Sequence, residues 1–288
     1  MFTVGPRPDA METLELRDSD AKSLLVLAPA RGGIATRLSL LGKHRFFLDE
    51  STLRNPELNV RGGNPVLFPS PGKLKGDAWS RDGKSGVLKQ HGFARNLPWE
   101  VVGTSTEGAA QATLRLASNE ATQKSYPWEF TAEYTYKLAG NALRIEQRFT
   151  NLSSGSMPFG AGFHPYFHVK QTDKRAARIE TGAKRAFDNV TKKEVELTGP
   201  IDLSQKEVDL HLLDHGSAPC VLKWAAGEVH VRGSSEFSHW VIWTQQHKDF
   251  VCVEPWTCPG DALNTGDRLI TLAPNETREI WVEYSVPG

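Results

Sequence analysis

Only three cysteines, at positions 220, 252 and 258, occur in 288 residues. Their number is odd and none stands in a CxxC pair. That argues against a disulfide framework or a structural zinc site and points to a reducing compartment. A surplus of one charge is also missing, since 34 Lys and Arg balance 34 Asp and Glu. Neither nucleic acid nor an anionic membrane is therefore expected as the main partner. The longest clean apolar run, residues 24–30, falls far short of the roughly 20 residues of a bilayer span. No apolar stretch follows a basic one in the first twenty residues, so no secretion signal is read. The expectation is a soluble, cytoplasmic protein. Helical periodicity is equally scarce. Its best candidate is 204–207, which has capping-box spacing, but Val208, Leu210 and Leu212 alternate behind it and a strand competes.

The period that is present is two. Phe130, Ala132, Tyr134, Tyr136 and Leu138 alternate with Thr131, Glu133, Thr135 and Lys137, the pattern of a half-buried strand. Gly140-Asn141 follows, and Leu143, Ile145, Gln147 and Phe149 resume on alternate positions, which predicts a hairpin. Residues 280–286 alternate too. Shorter strand candidates are 24–27, 35–41, 45–48, 112–117, 229–232, 240–244 and 250–254. Frequent strands punctuated by 25 Gly and 17 Pro predict an all-β sandwich or barrel. No repeat, low-complexity block or charge run marks a linker, so one domain over 1–288 is expected.

Three segments are richer in Gly, Pro and polar residues than a plain sandwich requires. They are RGGNPVLFPSPG (61–72) with HGFARNLPW (91–99), FGAGFHPYFH (159–168), and VCVEPWTCPG (251–260). In the second, His164 stands between two glycines and Pro165, beside Tyr166 and Phe167. A lone histidine is more often a core residue bonded to backbone, yet a rigid turn presenting an imidazole suits a general acid. His164 and His168 are four apart, but Pro165 speaks against a helix and no Glu follows His164 as in HExxH. No metal site is expected. Glu254 ends an apolar run, and Pro255 is expected to end the strand. Its carboxylate could serve as an ion-pair partner or as a base with a raised pKa. Arg61, His91 and Arg95, beside small residues, could be solvated or could form fixed donors for hydroxyl or phosphate oxygens.

In these segments, in this order, the sequence resembles the aldose 1-epimerase (mutarotase) family, especially the branch containing hexose-6-phosphate epimerases. The matching pieces RGGNPVLFPSPG, QHGFARNLPWEV, FGAGFHPYF and VCVEPWTCPGDALNTGDRLITLAPNE lie within 61–276. The resemblance implies a large antiparallel β-supersandwich with few short helices, and an isomerase that needs no cofactor or metal. It implies Glu254 as general base and His164 as general acid in opening a pyranose ring. It assigns Arg61, His91 and Arg95 to substrate oxygens. Asp209 is assigned to a sugar hydroxyl, with Asp202 and Asp214 as neighbouring alternatives. Asn64 and Phe68 depart from the phosphate-specific branch, which usually has Ile and Trp there. The implied partner is a small sugar or sugar phosphate. The competing reading is a non-catalytic carbohydrate-binding or sensing module on the same scaffold. No interface signal fixes the oligomeric state.

Overall fold

The computed structural model describes residues 1–7 and 11–288. The period-two pattern becomes a long hairpin in which Phe130–Ala139 and Ala142–Asn151 pair antiparallel in continuous register around Gly140-Asn141. The inward residues Phe130, Ala132, Tyr134, Tyr136 and Leu138 are buried, as are Leu143, Ile145 and Phe149 opposite them. Burying each large side chain contributes about 1.5–3 kcal/mol. On the outer face Thr113 meets Thr135 at 2.9 Å and Lys137 meets Glu146 at 2.6 Å, pairs that add little beyond register.

This hairpin lies inside an eight-stranded antiparallel sheet. The order is Arg178–Glu180, Cys220–Trp224, Gly227–Gly233, Thr277–Ser285, Ala142–Asn151, Phe130–Ala139, Ala110–Ala117, Glu100–Ser105. A second sheet runs Lys193–Glu196, Arg185–Asp188, Glu207–Leu212, His239–Gln245, Phe250–Trp256, Gly162–Phe163, Val66–Leu67, with Tyr166–His168 also paired to Phe250–Trp256. The core fills the space between them. Tyr134 of the first sheet meets Phe163 of the second at 5.8 Å between ring centroids. Phe68, fully buried, touches the rings of Phe93, Tyr126, Phe130, Phe149 and Phe159. A five-stranded meander from Phe2–Arg7 to Lys43–His44 forms a third sheet. Among the described residues the α-helices are three short ones, Glu50–Arg54, Glu120–Gln123 and Ala262–Thr265. None of the helices is long and apolar enough to cross a membrane.

Two expectations are corrected, and one open choice is resolved. Residues 204–207, where a strand competes with a helix, form no helix. The Asp202 carboxylate instead accepts from the Ser204 N–H and hydroxyl, at 2.9 and 2.6 Å, and the chain enters the strand Glu207–Leu212. Residues 45–48 form isolated bridges rather than a strand, because their N–H groups are divided between different neighbours. Arg45 donates to the Leu38 carbonyl and Phe47 to that of Tyr166. Pro255 does not end its strand, which continues to Trp256 with Pro255 opposite Trp240. Proline removes one donor from a ladder but keeps its carbonyl.

Two glycines bind the site loops to this frame. Gly62 has φ +128°, and a methyl group there would sit 2.5 Å from Leu48 Cα. Gly32, in the N-terminal sheet's Pro29–Gly33 turn, has φ +79°, and a methyl group there would meet the Arg95 carbonyl oxygen at 2.1 Å. The Trp99 N–H donates to Pro29 O at 2.9 Å beside it. Gly62→Ala is expected to cost about 2 kcal/mol or more through strained backbone and collision. Calorimetry should show a melting temperature lowered by several degrees, and an unchanged value would contradict the packing described.

Candidate active site

The second sheet is concave, and its strands bring chemistry to one floor. On Phe250–Trp256 the side chains of Phe250, Cys252, Glu254 and Trp256 share a face because strand residues two apart point the same way. His164 follows the strand Gly162–Phe163, its N–H bonded to Pro65 O at 3.1 Å, and Tyr166 N–H to Gly63 O at 2.9 Å. The Arg-Gly-Gly and His-Pro segments are thus tied together by backbone. Across the floor His164 Nε2 lies 3.4 Å from Glu254 Oε1. The imidazole stacks on Tyr166, with centroids 4.7 Å apart and planes at 12°, and meets the edge of Trp243.

A cleft of about 860 Å³ opens above this pair. Arg61, His91, Arg95, His164, Asp209 and Glu254, scattered over almost two hundred positions, all line it. Asp202 and Asp214 do not. Asp202 caps its own turn, and Asp214 accepts the Lys184 and Arg185 N–H groups. His168, the other member of the HxxxH spacing, points out of the cleft toward Phe47.

Burial governs the electrostatics. Glu254 is 1 % exposed and its Oε2 has no hydrogen-bond partner. Burial pushes its carboxyl well above the usual range, and the nearby Asp209 charge adds to the rise. The Trp256 indole N–H opposes it but is not placed for a full hydrogen bond. Burial drives the His164 imidazole down, helped by His91 and Arg95. Both shifts favour the uncharged form of each group.

His91 sits at φ +72° with its Nδ1 against the Pro71 carbonyl. A carbonyl only accepts, so Nδ1 carries the hydrogen and Nε2 keeps a lone pair. Burial, with Arg95 next, lowers its pKa to about 3. His91 therefore presents an acceptor at Nε2. Arg95 gives one N–H to Gln90 O at 3.0 Å while its Nε lacks a partner, and burial lowers its pKa to about 10. Arg61 is exposed at the mouth.

Several cleft residues escape the sequence reading. Asp209 is held by Asn189 Nδ2 at 2.7 Å and lies 3.3 Å from His211 Nε2. His211 Nδ1 in turn meets His239 Nε2 at 2.8 Å. His211 is two residues from Asp209 on the same strand face, a signal that alternation offered. His239 had none, because it arrives from the neighbouring strand. Trp256 meets His91, His211 and His239 at 5.7–5.8 Å between centroids. Trp243, Trp256 and Tyr166 give the floor apolar faces among its polar groups, the composition of a small-molecule site.

The profile of the family described as Aldose 1-epimerase matches residues 57–285. The chain is similar over 99% of both lengths to the Slr1438 protein from Synechocystis sp. PCC 6803, with 37% identity and a TM-score of 0.93. A galactose mutarotase-like protein from Clostridium acetobutylicum has the same fold, with a TM-score of 0.83 at 18% identity, covering 100% of this chain and 99% of that one. A Cenchrus ciliaris protein, provisionally named a glucose-6-phosphate 1-epimerase, is 24% identical over 260 residues, 82% of this chain and 73% of its own.

The neutral state of His91 is testable by NMR. Since its folded pKa lies below the ordinary value, the imidazole stays uncharged from pH 5 to 8 and its resonances should not move through that range. A titration with a midpoint near 6.5 would contradict the Pro71 contact.

Proposed function

The chain belongs to the aldose 1-epimerase family, and on that premise we propose that it interconverts the α and β anomers of a hexose or hexose 6-phosphate. The observation that carries this reading is the Glu254–His164 pair, 3.4 Å apart beneath the cleft. In a pyranose, O1 and O5 share one carbon. The group taking a proton from one and the group giving a proton to the other must therefore be close neighbours.

Two forms of the pair, acid with neutral imidazole and carboxylate with imidazolium, have the same net charge. Passing between them moves one proton across the contact and draws no charge from solvent. In the second form the Glu254 carboxylate takes the proton of the C1 hydroxyl while His164 delivers one to O5. The C1–O5 bond breaks, C1=O1 forms, and the open aldehyde turns about C1–C2. Reclosure on the other face returns both protons. Such acid–base assistance is worth roughly 10²–10⁴-fold per group.

The other residues fit positioning. The His91 Nε2 lone pair accepts a sugar hydroxyl. Asp209, oriented by Asn189 and His211, accepts another. Arg61 and Arg95 line the same cleft and carry cationic donors suited to a 6-phosphate. The name of the Cenchrus ciliaris relative favours a phosphorylated substrate.

Polarimetry or NMR exchange on freshly dissolved α-glucose, galactose and glucose 6-phosphate tests the activity, and no acceleration on any aldose or aldose phosphate would overturn it. Glu254→Gln and His164→Ala should each lose at least about a hundredfold while circular dichroism stays native. An active Glu254→Gln protein removes the assigned base. If a phosphate is held, Arg95→Gln should lower kcat/KM on glucose 6-phosphate by roughly ten- to a hundredfold and on glucose much less. Equal losses on both sugars would assign Arg95 to hydroxyls.

A further inference from the structure

Ring opening leaves one nucleophilic side chain beneath the cleft without a task. Cys252 shares a strand face with Glu254, and its cross-strand partners are Tyr166 and Trp243, the two rings that flank His164. The thiol is free and fully buried. As a small hydrophobe under Tyr166 and Phe250 it would need no further account, but its surroundings are not only apolar. One donor atom each from His164, Cys252 and Glu254 lies within 4.8 Å of the other two. Glu254 Oε2, on a side chain that is 1 % exposed, has no partner.

An imidazole, a thiol and a carboxylate form a donor set suited to a borderline-soft divalent cation. Zinc bonds of about 2.0–2.1 Å to nitrogen and oxygen in a tetrahedron place those donors roughly 3.4 Å apart. His164 Nε2 and Glu254 Oε1 already have that separation, 3.4 Å. The sulfur lies within 4.8 Å of both. Charge also balances, since one thiolate and one carboxylate neutralise a dication exactly where a buried charge otherwise costs most.

We propose that His164, Cys252 and Glu254 form an inhibitory site for Zn²⁺ and similar thiophilic divalent cations, with a cleft water as fourth ligand. On binding, the Cys252 S–H bond breaks and the proton held by the Glu254–His164 pair is displaced as well; both protons leave to solvent, and the sulfur and the carboxylate oxygen keep the electron pairs they give to the metal. No electron is transferred. His164 binds through Nε2 and Glu254 through a carboxylate oxygen, so both groups assigned to proton transfer are occupied. The inhibition rests on the epimerase reading of the cleft, whereas the binding does not.

Full-length protein freed of metal by chelator is titrated with Co²⁺ in the absence of sugar, then with Zn²⁺. One equivalent of Co²⁺ should produce a thiolate-to-cobalt charge-transfer band that Zn²⁺ abolishes. Wild-type protein without the band overturns the site, whatever the enzyme assay shows. Zn²⁺ should also suppress anomer exchange saturably. Cys252→Ser should keep its exchange activity, lose the band and need about tenfold more Zn²⁺ or above for half-inhibition, a factor worth about 1.4 kcal/mol. Cys258→Ser should respond to both metals as wild type does. Should Cys252→Ser not fold, Cys252→Ala takes its place. A band or an unchanged Zn²⁺ response in either Cys252 variant, or a band lost in Cys258→Ser, overturns the assignment.

Discussion

A carboxyl and an imidazole 3.4 Å apart, both almost without water, set the terms for everything around them. In bulk solvent each would titrate alone near its ordinary value. Here burial raises one and lowers the other, and a single proton becomes common property. The arrangement is expensive to build, since an uncompensated buried ion costs several kcal/mol. It persists because either position of the proton leaves the pair neutral overall. The stacked Tyr166 ring and the edge of Trp243 keep the surroundings dry, which strengthens whatever electrostatic contact a ligand makes.

The fold delivers this pair by long-range pairing. Glu254 sits centrally on a seven-residue strand clasped by His239–Gln245 and Tyr166–His168, so its Cα has little freedom. His164 follows a two-residue strand and is fixed instead by its own N–H on the Pro65 carbonyl and by that of Tyr166 on the Gly63 carbonyl. The charged groups at the mouth are held differently. Arg61 is exposed beside Gly62, whereas Arg95 hangs from a short 3₁₀ turn, Ala94–Asn96. The floor is rigid and the rim is built from loops, a division common to sites that vary their ligands on one scaffold.

What could be read from residues alone follows from the range of the forces involved. The hairpin Phe130–Ala139 with Ala142–Asn151 is legible because one face is buried along its whole length and the turn is local. His164 and Glu254 emerge from resemblance and unusual neighbours. The strands Gly162–Phe163 and Val66–Leu67 are too short to display any period. The Asp209–His211–His239 chain depends on a register, Leu212 opposite Trp240, that no local pattern specifies. The tautomer of His91 is beyond local pattern, because a carbonyl twenty residues earlier decides it. Ser204, which has capping-box spacing to Glu207, instead donates to the Asp202 carboxylate in an Asx turn that ends the loop before a strand.

The close approach of Gly32 to the Arg95 carbonyl carries a meaning for how this protein diversifies. Gly32 lies ahead of the segment that matches the family profile, 57–285. The opening meander is thus a buttress pressed against the arginine's own peptide. Drift in that leading sheet would shift the peptide that carries the guanidinium and, on the role proposed for Arg95, retune which end groups the cleft admits.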